Sequence, residues 1–380
     1  MNETKTNKTN LLILGGRFEL ESGGIENTSY LFADYFRKHF NVYTLCTKSG
    51  CMPNIESVIS QQSKYDRTHP LCALDFYSKA LSIKEKDGLD YVLSVHFGYA
   101  LCCVFLKWLH NIPYGVLVHG QEAVKWPKNG FIRDIMWRIF FYPMRWLILK
   151  NACDIFVNTN FTKGLIEQIT NNRKITVINP PISFKPSTEE FEIRKDSFLL
   201  SIGRLIERKG FQYVIKALPK IKTILPNIKY YIGGSGSYSV ELQQLVNQLG
   251  LDENVVFLGR VSEEDKSKLL SECSLFLMPS CNEMKTTEIE GFGLSLLEAN
   301  SFGKFVIATY SGGIPEAVIN GQTGMLVSPK NEEELADAII KYFSPNFTYD
   351  IQICKDWAEK RFIGNIVEQY HQQIMNTIKV

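Results

Sequence analysis

Short runs of branched apolar residues alternate with longer amphipathic stretches along this chain, and that alternation limits its fold more than any other feature. The first half holds LLILGG (11–16), NVYTLC (41–46), YVLSVH (91–96), GVLVHG (115–120), DIFVN (154–158) and KITVIN (174–179). The second half holds FLLSIG (198–203), KYYIGG (229–234), NVVFLG (254–259), SLFLMP (275–279 and the residue before it) and KFVIAT (304–309). Continuous apolar strands separated by helices belong to parallel sheets buried on both faces. Between the two series lies PPISFKPSTEEFEIRKD (180–196), rich in proline and acid and without apolar period, which reads as a linker. The expected fold is therefore α/β, with two Rossmann-like, doubly wound domains. Ligands are expected at the carboxyl ends of the strands, in a cleft the domains would face.

At 380 residues the chain is long for one core and comfortable for two. A 45% hydrophobic and 22% charged composition is that of a globular protein. The net charge of +2 gives no global reason to bind nucleic acid, so none is expected as a partner. Nine cysteines without a CxxC pair suit free, buried thiols in a reducing compartment. The polar start MNETKTNKTN and the lack of a long uncharged apolar run lead us to expect a cytoplasmic protein.

Three motifs in the second half suggest an anion site. FLLSIG runs into Arg204, then Arg208-Lys209-Gly210 and an apolar-periodic helix. Arg204 and Lys209 flank a strand-to-helix turn, where fixed cations would neutralise a phosphate; alone, they could equally be solvated surface charges. KYYIGGSGSYSVELQQL is a strand, a Gly-rich loop with Gly234 and Gly236, and a helix beginning near Ser237 or Ser239, where backbone N–H groups can approach an anion. EGFGLSLLEA (290–299) sets Glu290 before Gly291 and Gly293, and a helix from about Leu294 carries Glu298. The two carboxylates are separated by at most roughly 12 Å along an axis, the scale of a nucleotide-sugar's ribose-to-hexose span. Carboxylates accept well from vicinal hydroxyls, although Glu298 could be an ordinary helix acid; the leucines of this helix are assigned to core.

In the first half, Gly23 and Gly24 open a helix after the first strand and could receive phosphate. A dehydrogenase would need an acid near the end of the second strand, yet NVYTLC is followed by Thr47 and Lys48. His119 and Glu122 sit at a strand's end, pointing to a cleft or, as plainly, to a backbone-bonded histidine. The histidines show no HxH or HExxH spacing and no DxD triplet occurs, so no metal site is expected. Residues 125–150 interleave six cations with Trp126, Trp137 and Trp146. Such a segment can lie on an anionic membrane surface or pack its aromatics inward, and a lipid-linked substrate would favour the membrane.

In order, GGIEN, HGQE, GRLIERKG, GGSGS, NVVFLGRV, FLMPS, EGFGLSLLEANSFG and SGGIPEAVINGQTGMLV strongly resemble the family 4 retaining glycosyltransferases of the GT-B fold, over nearly the whole chain. The resemblance implies an N-terminal acceptor-side domain (1–182), a linker (183–196), a C-terminal nucleotide-sugar domain (197–355), and a C-terminal helix (356–380) crossing back to pack on the first. It implies metal-independent transfer of a hexose-type sugar from a nucleoside-diphosphate sugar to a glycan or lipid-linked hydroxyl, with retention, in cell-surface polysaccharide synthesis. UDP is favoured over GDP by frequency in the family, and no cofactor beyond the donor is expected. By the same analogy Glu290 contacts the donor sugar and Glu298 the ribose. Arg204 and Lys209 hold the diphosphate, while Gly23 and Gly24 lie near phosphate or acceptor. His119 lies near the transferred sugar; Gly234, Gly236, Gly293 and Leu294 lie along the donor, and Glu316 in the GGxPE turn. CNEMKTTEI (281–289) lengthens the loop before Glu290, and residues 50–90 match no part of the pattern. A nucleotide-sugar epimerase and a catalytically silent sugar-nucleotide-binding subunit remain as alternatives.

Overall fold

The computed structural model describes residues 8–18, 24–50, 53–66, 69, 71–124, 137–182, 198–282 and 289–379. The chain forms two compact units, one of residues 1–181 with 363–380 and the other of residues 182–362. The linker expected at 183–196 lies outside the described residues.

The first unit runs β1 (Asn10–Leu14), α1 (Gly24–Phe36), β2 (Asn41–Cys46), β3 (Val58–Gln62), α2 (Cys72–Asp87), β4 (Tyr91–Ser94), α3 (Leu101–His110), β5 (Tyr114–Val118), α4 (Tyr142–Asn151), β6 (Asp154–Val157), α5 (Asn160–Glu167) and β7 (Ile175–Val177). Its strands form one parallel sheet in the order β3-β2-β1-β4-β5-β6-β7, with Leu12 facing Tyr43 on one side and Val92 on the other. Alternate residues of one strand serve opposite cores. Leu12, Leu14, Val92 and Val116 pack with Phe76 of α2 and Val104 of α3, whereas Leu11, Ile13 and Leu93 pack with Phe32 and Phe36 of α1. Both faces being covered, the strands read as unbroken apolar runs.

The second unit runs β8 (Leu199–Ile202), α6 (Phe211–Lys222), β9 (Tyr230–Gly233), α7 (Ser239–Gln248), β10 (Val255–Gly259), α8 (Glu263–Glu272), β11 (Leu275–Met278), α9 (Leu294–Ser301), β12 (Val306–Thr309), β13 (Gly324–Val327), α10 (Glu332–Tyr342) and α11 (Ile351–Glu359). Its parallel sheet has the order β10-β9-β8-β11-β12-β13. The last helix, α12 (Ile363–Ile378), belongs to the first unit and buries Ile366, Val367, Tyr370 and Ile374 in the core shared with α1.

Two strands lie outside the apolar runs read from the sequence. Both are edge strands and only partly buried: VISQQ of β3 is largely polar, whereas GMLV of β13 is a short apolar run. The change of unit near the C-terminus falls after residue 362, not at 356. Trp357 donates its indole N–H to the Ala317 carbonyl at 2.8 Å, and the Arg361 guanidinium covers its ring at 3.6 Å, which keeps α11 on the second unit.

Candidate functional site

In each sheet the chain starts at a central strand, winds outward one way, then returns to the other side. The reversal falls between β1 and β4 in the first unit and between β8 and β11 in the second. Loops leaving neighbouring strands in opposite directions open a crevice at the carboxyl edge there. The second unit's sequence motifs gather at that edge.

The strongest feature is a charge cluster on Glu290. Arg208 Nη1 donates to Glu290 Oε2 at 2.6 Å, and Lys209 Nζ donates to the same oxygen at 2.8 Å. Arg208 is buried at 6% side-chain exposure and Glu290 nearly so at 14%. Burial alone would raise the Glu290 carboxyl, but the Lys209 and Arg208 charges outweigh it and hold it down at about 2. Charge-assisted bonds of this kind are the strong ones, and two cations on one carboxylate leave the cluster net positive. The backbone fixes Glu290 as firmly. Its N–H donates to Asn282 Oδ1 at 2.9 Å, and its carbonyl accepts from Gly313 N–H at 3.0 Å. Gly312, at φ +58°, packs so closely on that carbonyl that a Cβ would collide with it. The loops after β11 and β12 thus hold the carboxylate, and the turn after β8 supplies its cations.

Lys209 is therefore engaged with Glu290, while Arg204 is exposed at the start of the same turn. Sequence reasoning paired Arg204 with Lys209; the structure groups Lys209 with Arg208, whose place in the ERKG turn was visible but not singled out as a site. Arg204 instead neighbours the Gly-rich loop. Leu205 N–H donates to the Ser235 carbonyl and Tyr238 N–H to the Leu205 carbonyl, both at 2.9 Å. Gly234 adopts φ +138°, and a Cβ there would strike the Gly203 carbonyl; one at Gly236 would strike that of Leu205. These glycines let two backbone turns touch, a requirement of the fold itself.

Gly293 caps α9 at φ +99°, with Leu294 as the first helical residue and Leu296 and Leu297 fully buried, in keeping with their assignment to core. Glu298 accepts from Lys266 Nζ of α8 at 3.1 Å, and that ammonium also meets Glu263 at 2.7 Å. Burial pulls the Lys266 ammonium down, but Glu298 and Glu263 more than offset it and raise it. Nothing in the linear sequence marked Lys266, because only the packing of α8 beside α9 brings it to Glu298. Glu316 lies in the short 3-10 turn Ile314–Glu316 after β12.

In the first unit, Gly24 begins α1, and Gly23 lies outside the described residues. His119 follows β5. Its Nε2 lies 2.8 Å from the Val95 carbonyl, and since a carbonyl only accepts, Nε2 carries the proton. The His119 N–H donates to Glu122 Oε2 at 3.1 Å. The ring is thus backbone-bonded, the plainer of its two readings, with Nδ1 as its remaining nitrogen. A small polar pocket of about 160 Å³ sits where β1, β2 and β4 end, lined by Arg17, Glu26, Ser29, Ser49, His96 and Tyr99 among others.

Of the basic segment 125–150, residues 125–136 lie outside the described residues. Arg145 is a correction to the idea of an uninterrupted cationic face: it is buried, and its Nη1 donates to the carbonyls of Glu122, Ala123 and Val124 at 3.1, 3.4 and 3.3 Å. Burial lowers its guanidinium accordingly. Ile139, Phe140 and Trp146 are exposed, as are Trp108 and Leu109 of α3. Among the described residues no helix is long and apolar enough to cross a membrane.

Two Rossmann-like units, each with a parallel sheet flanked by helices, define the GT-B architecture. A crystal structure of HepE from Anabaena, in complex with UDP, has the same fold with a TM-score of 0.73 at 19% identity, covering 97% of this chain and 100% of that one. Residues 185–362 match the family described as "Glycosyl transferases group 1". It is 31% identical over 151 residues, 40% of each chain, to the GDP-mannose-dependent alpha-(1-6)-phosphatidylinositol monomannoside mannosyltransferase of Mycolicibacterium smegmatis. It is 32% identical over 277 residues to an uncharacterized glycosyltransferase of Methanocaldococcus jannaschii, covering 68% of this chain and 65% of that protein. The matched stretches thus span less than two thirds of either relative's length.

Proposed function

We propose that this chain is a retaining glycosyltransferase that moves a hexose-type sugar from a nucleoside-diphosphate sugar to a hydroxyl of a glycan or lipid-linked acceptor in cell-surface polysaccharide synthesis. The observation that carries the reading is the Arg208–Lys209–Glu290 cluster at the carboxyl edge of the second sheet, beside the Gly-rich turn and Arg204. In this reading Arg204, Lys209 and backbone N–H groups of the 234–236 turn neutralise the departing diphosphate, without a metal. Glu290, held ionised, faces positive charge developing at the anomeric carbon and forms no covalent bond to it. A donor phosphate oxygen takes the proton of the attacking hydroxyl, which is delivered to the same face the diphosphate leaves. Glu298, steadied by Lys266, takes the ribose hydroxyls. The polar pocket at the ends of β1, β2 and β4 is the acceptor side.

Support for the donor class is twofold: the Mycolicibacterium relative is named as GDP-mannose-dependent, and the Anabaena structure holds UDP. The former moves GDP onto equal terms with UDP. Among the described residues eight cysteines are buried thiols, which supports a cytoplasmic setting. The exposed Trp108, Leu109, Phe140 and Trp146, with Lys150 stacked 4.4 Å over Trp146, support peripheral contact with an anionic membrane.

The test is a thermal-shift panel of UDP- and GDP-sugars on the full chain with EDTA present, followed by turnover with acceptor extracts, with and without anionic vesicles. One donor class should raise Tm, since ligand at 100 times its Kd adds about 2.7 kcal/mol. Arg204→Ala, at an exposed position, should keep the fold and lose on the order of 100-fold in turnover. Wild-type turnover in that variant would remove the site assignment. A glycosyl adduct trapped on Glu290 would overturn the mechanism, and failure to pellet with vesicles would remove the membrane contact. Isomerised donor formed without acceptor would point to an epimerase instead.

A further inference from the structure

Away from the strand ends, the first unit brings together a second group of chemistry-bearing side chains. We propose that His39, Glu368 and His371 form a binding site for a first-row transition ion of the Zn2+ type, which fastens α12 to the turn that follows α1. Their ligand atoms all lie within 4.8 Å of one another. Glu368 Oε2 is 3.9 Å from His39 Nε2, and Glu368 Oε1 is 3.5 Å from His371 Nδ1. In a tetrahedral site with bonds of 2.0–2.2 Å, ligand atoms stand about 3.4 Å apart, so the site closes once the imidazoles turn out of their stack toward one point, with water as fourth ligand.

The placement follows from packing. Glu368 and His371 are three residues apart on α12 and so share a helix face. His39 lies in the turn after α1, anchored by its N–H to the Phe36 carbonyl at 2.9 Å. Buried Phe40 meets the His371 ring edge-on at 5.2 Å and 81°. The two imidazoles stack with centroids 4.5 Å apart and planes 29° from parallel, each presenting a nitrogen to the same carboxylate.

The electrostatics suit ligation by neutral imidazole. Burial, then the neighbouring His371, pushes the His39 imidazolium down, and Lys38 and Lys8 add to this against the opposing pull of Glu368. The Lys38 ammonium lies 4.3 Å over the Tyr35 ring and that of Lys8 donates to the Arg37 carbonyl at 3.2 Å. Both also repel a dication, so binding in the micromolar range is expected rather than the tight grip of a structural zinc. Two imidazoles and one carboxylate favour Zn2+, Ni2+ or Cu2+ over Mg2+. A groove along α12, lined by Glu368, His371, Gln372 and Met375 among others, gives the ion a path from solvent.

The full chain, stripped with EDTA, is titrated with ZnCl2 and separately with MgCl2 by calorimetry, with thermal unfolding in parallel. The expected result is one equivalent of zinc bound, a Tm that rises with zinc, and no response to magnesium. His371→Ala and His39→Gln should each weaken zinc binding on the order of tenfold or more. His39 is exposed, so its variant folds even if that at His371 does not. Zinc affinity unchanged in the His39 variant, or no saturable uptake below about 1 mM, would overturn the site and leave a histidine–glutamate ion pair.

Discussion

Glu290 shows how much one residue's behaviour depends on neighbours far away in sequence. Its carboxyl titrates at about 2 instead of the ordinary 4.5, because Lys209 and Arg208 overcome the effect of burial. The pKa is depressed on folding, so the stability this confers is complete above about 4.5 and disappears as pH falls toward 2. We expect Glu290→Gln to lower unfolding free energy by about 3 kcal/mol at pH 7, the order given by that shift. In urea titrations the gap between wild type and variant should narrow steadily from about pH 4.5 toward pH 2, because the unfolded carboxyl takes up a proton that the native one resists. A gap independent of pH would mean that the ion cluster does not form. EGFG and ERKG were each legible as polar turns, but that Arg208 would share an oxygen with Lys209 was not, because its partner lies 82 positions away.

At the scale of elements, the Gly-rich loop after β9 was legible from its glycines, though their structural reason was not. Gly234 and Gly236 are needed because the turn after β8 presses its carbonyls against them, whatever else binds there. Gly234→Ala combines a backbone conformation nearly closed to side chains with a collision against a carbonyl. It should cost about 3 kcal/mol or more and displace the Arg204 turn. Gly250→Ala provides the contrast: φ is +61° and the space is open, so about 1 kcal/mol is expected. Chemical denaturation of the two variants compares them, and equal losses would remove the argument from close approach. The edge strand β3, VISQQ, escaped the sequence reading for a similar reason. Half-exposed edges are held by backbone ladders and leave little hydrophobic signature.

At the scale of the whole molecule, the two units are not equal segments of sequence, because α12 completes the first. Asp154, fully buried at the start of β6, accepts from Tyr91 Oη at 2.6 Å and from Gln373 Nε2 and Thr377 Oγ1 of α12, both at 2.8 Å. Removing α12 would strip two of these donors from a buried carboxylate and expose Phe32 and Phe156, which pack on Tyr370. A chain ending at residue 362 should therefore lose the cooperative melting of its first unit, while the second, whose core is its own, still unfolds cooperatively. Calorimetry separates the outcomes, and a truncated chain with the full-length profile would show α12 to be dispensable.

The sequence by itself determined the class of fold, because strands buried on both faces must be apolar throughout and helices between them must be amphipathic. It also determined where the glycines and charges would crowd, since turns and anion sites demand particular residue types. Tertiary structure alone decided which charge meets which: Lys209 with Glu290 and Arg208, Lys266 with Glu298, Arg145 with three carbonyls, His39 with Glu368 and His371. Side-chain electrostatics act over a few ångströms of space, and that distance is set by the packing of elements, not by their order along the chain.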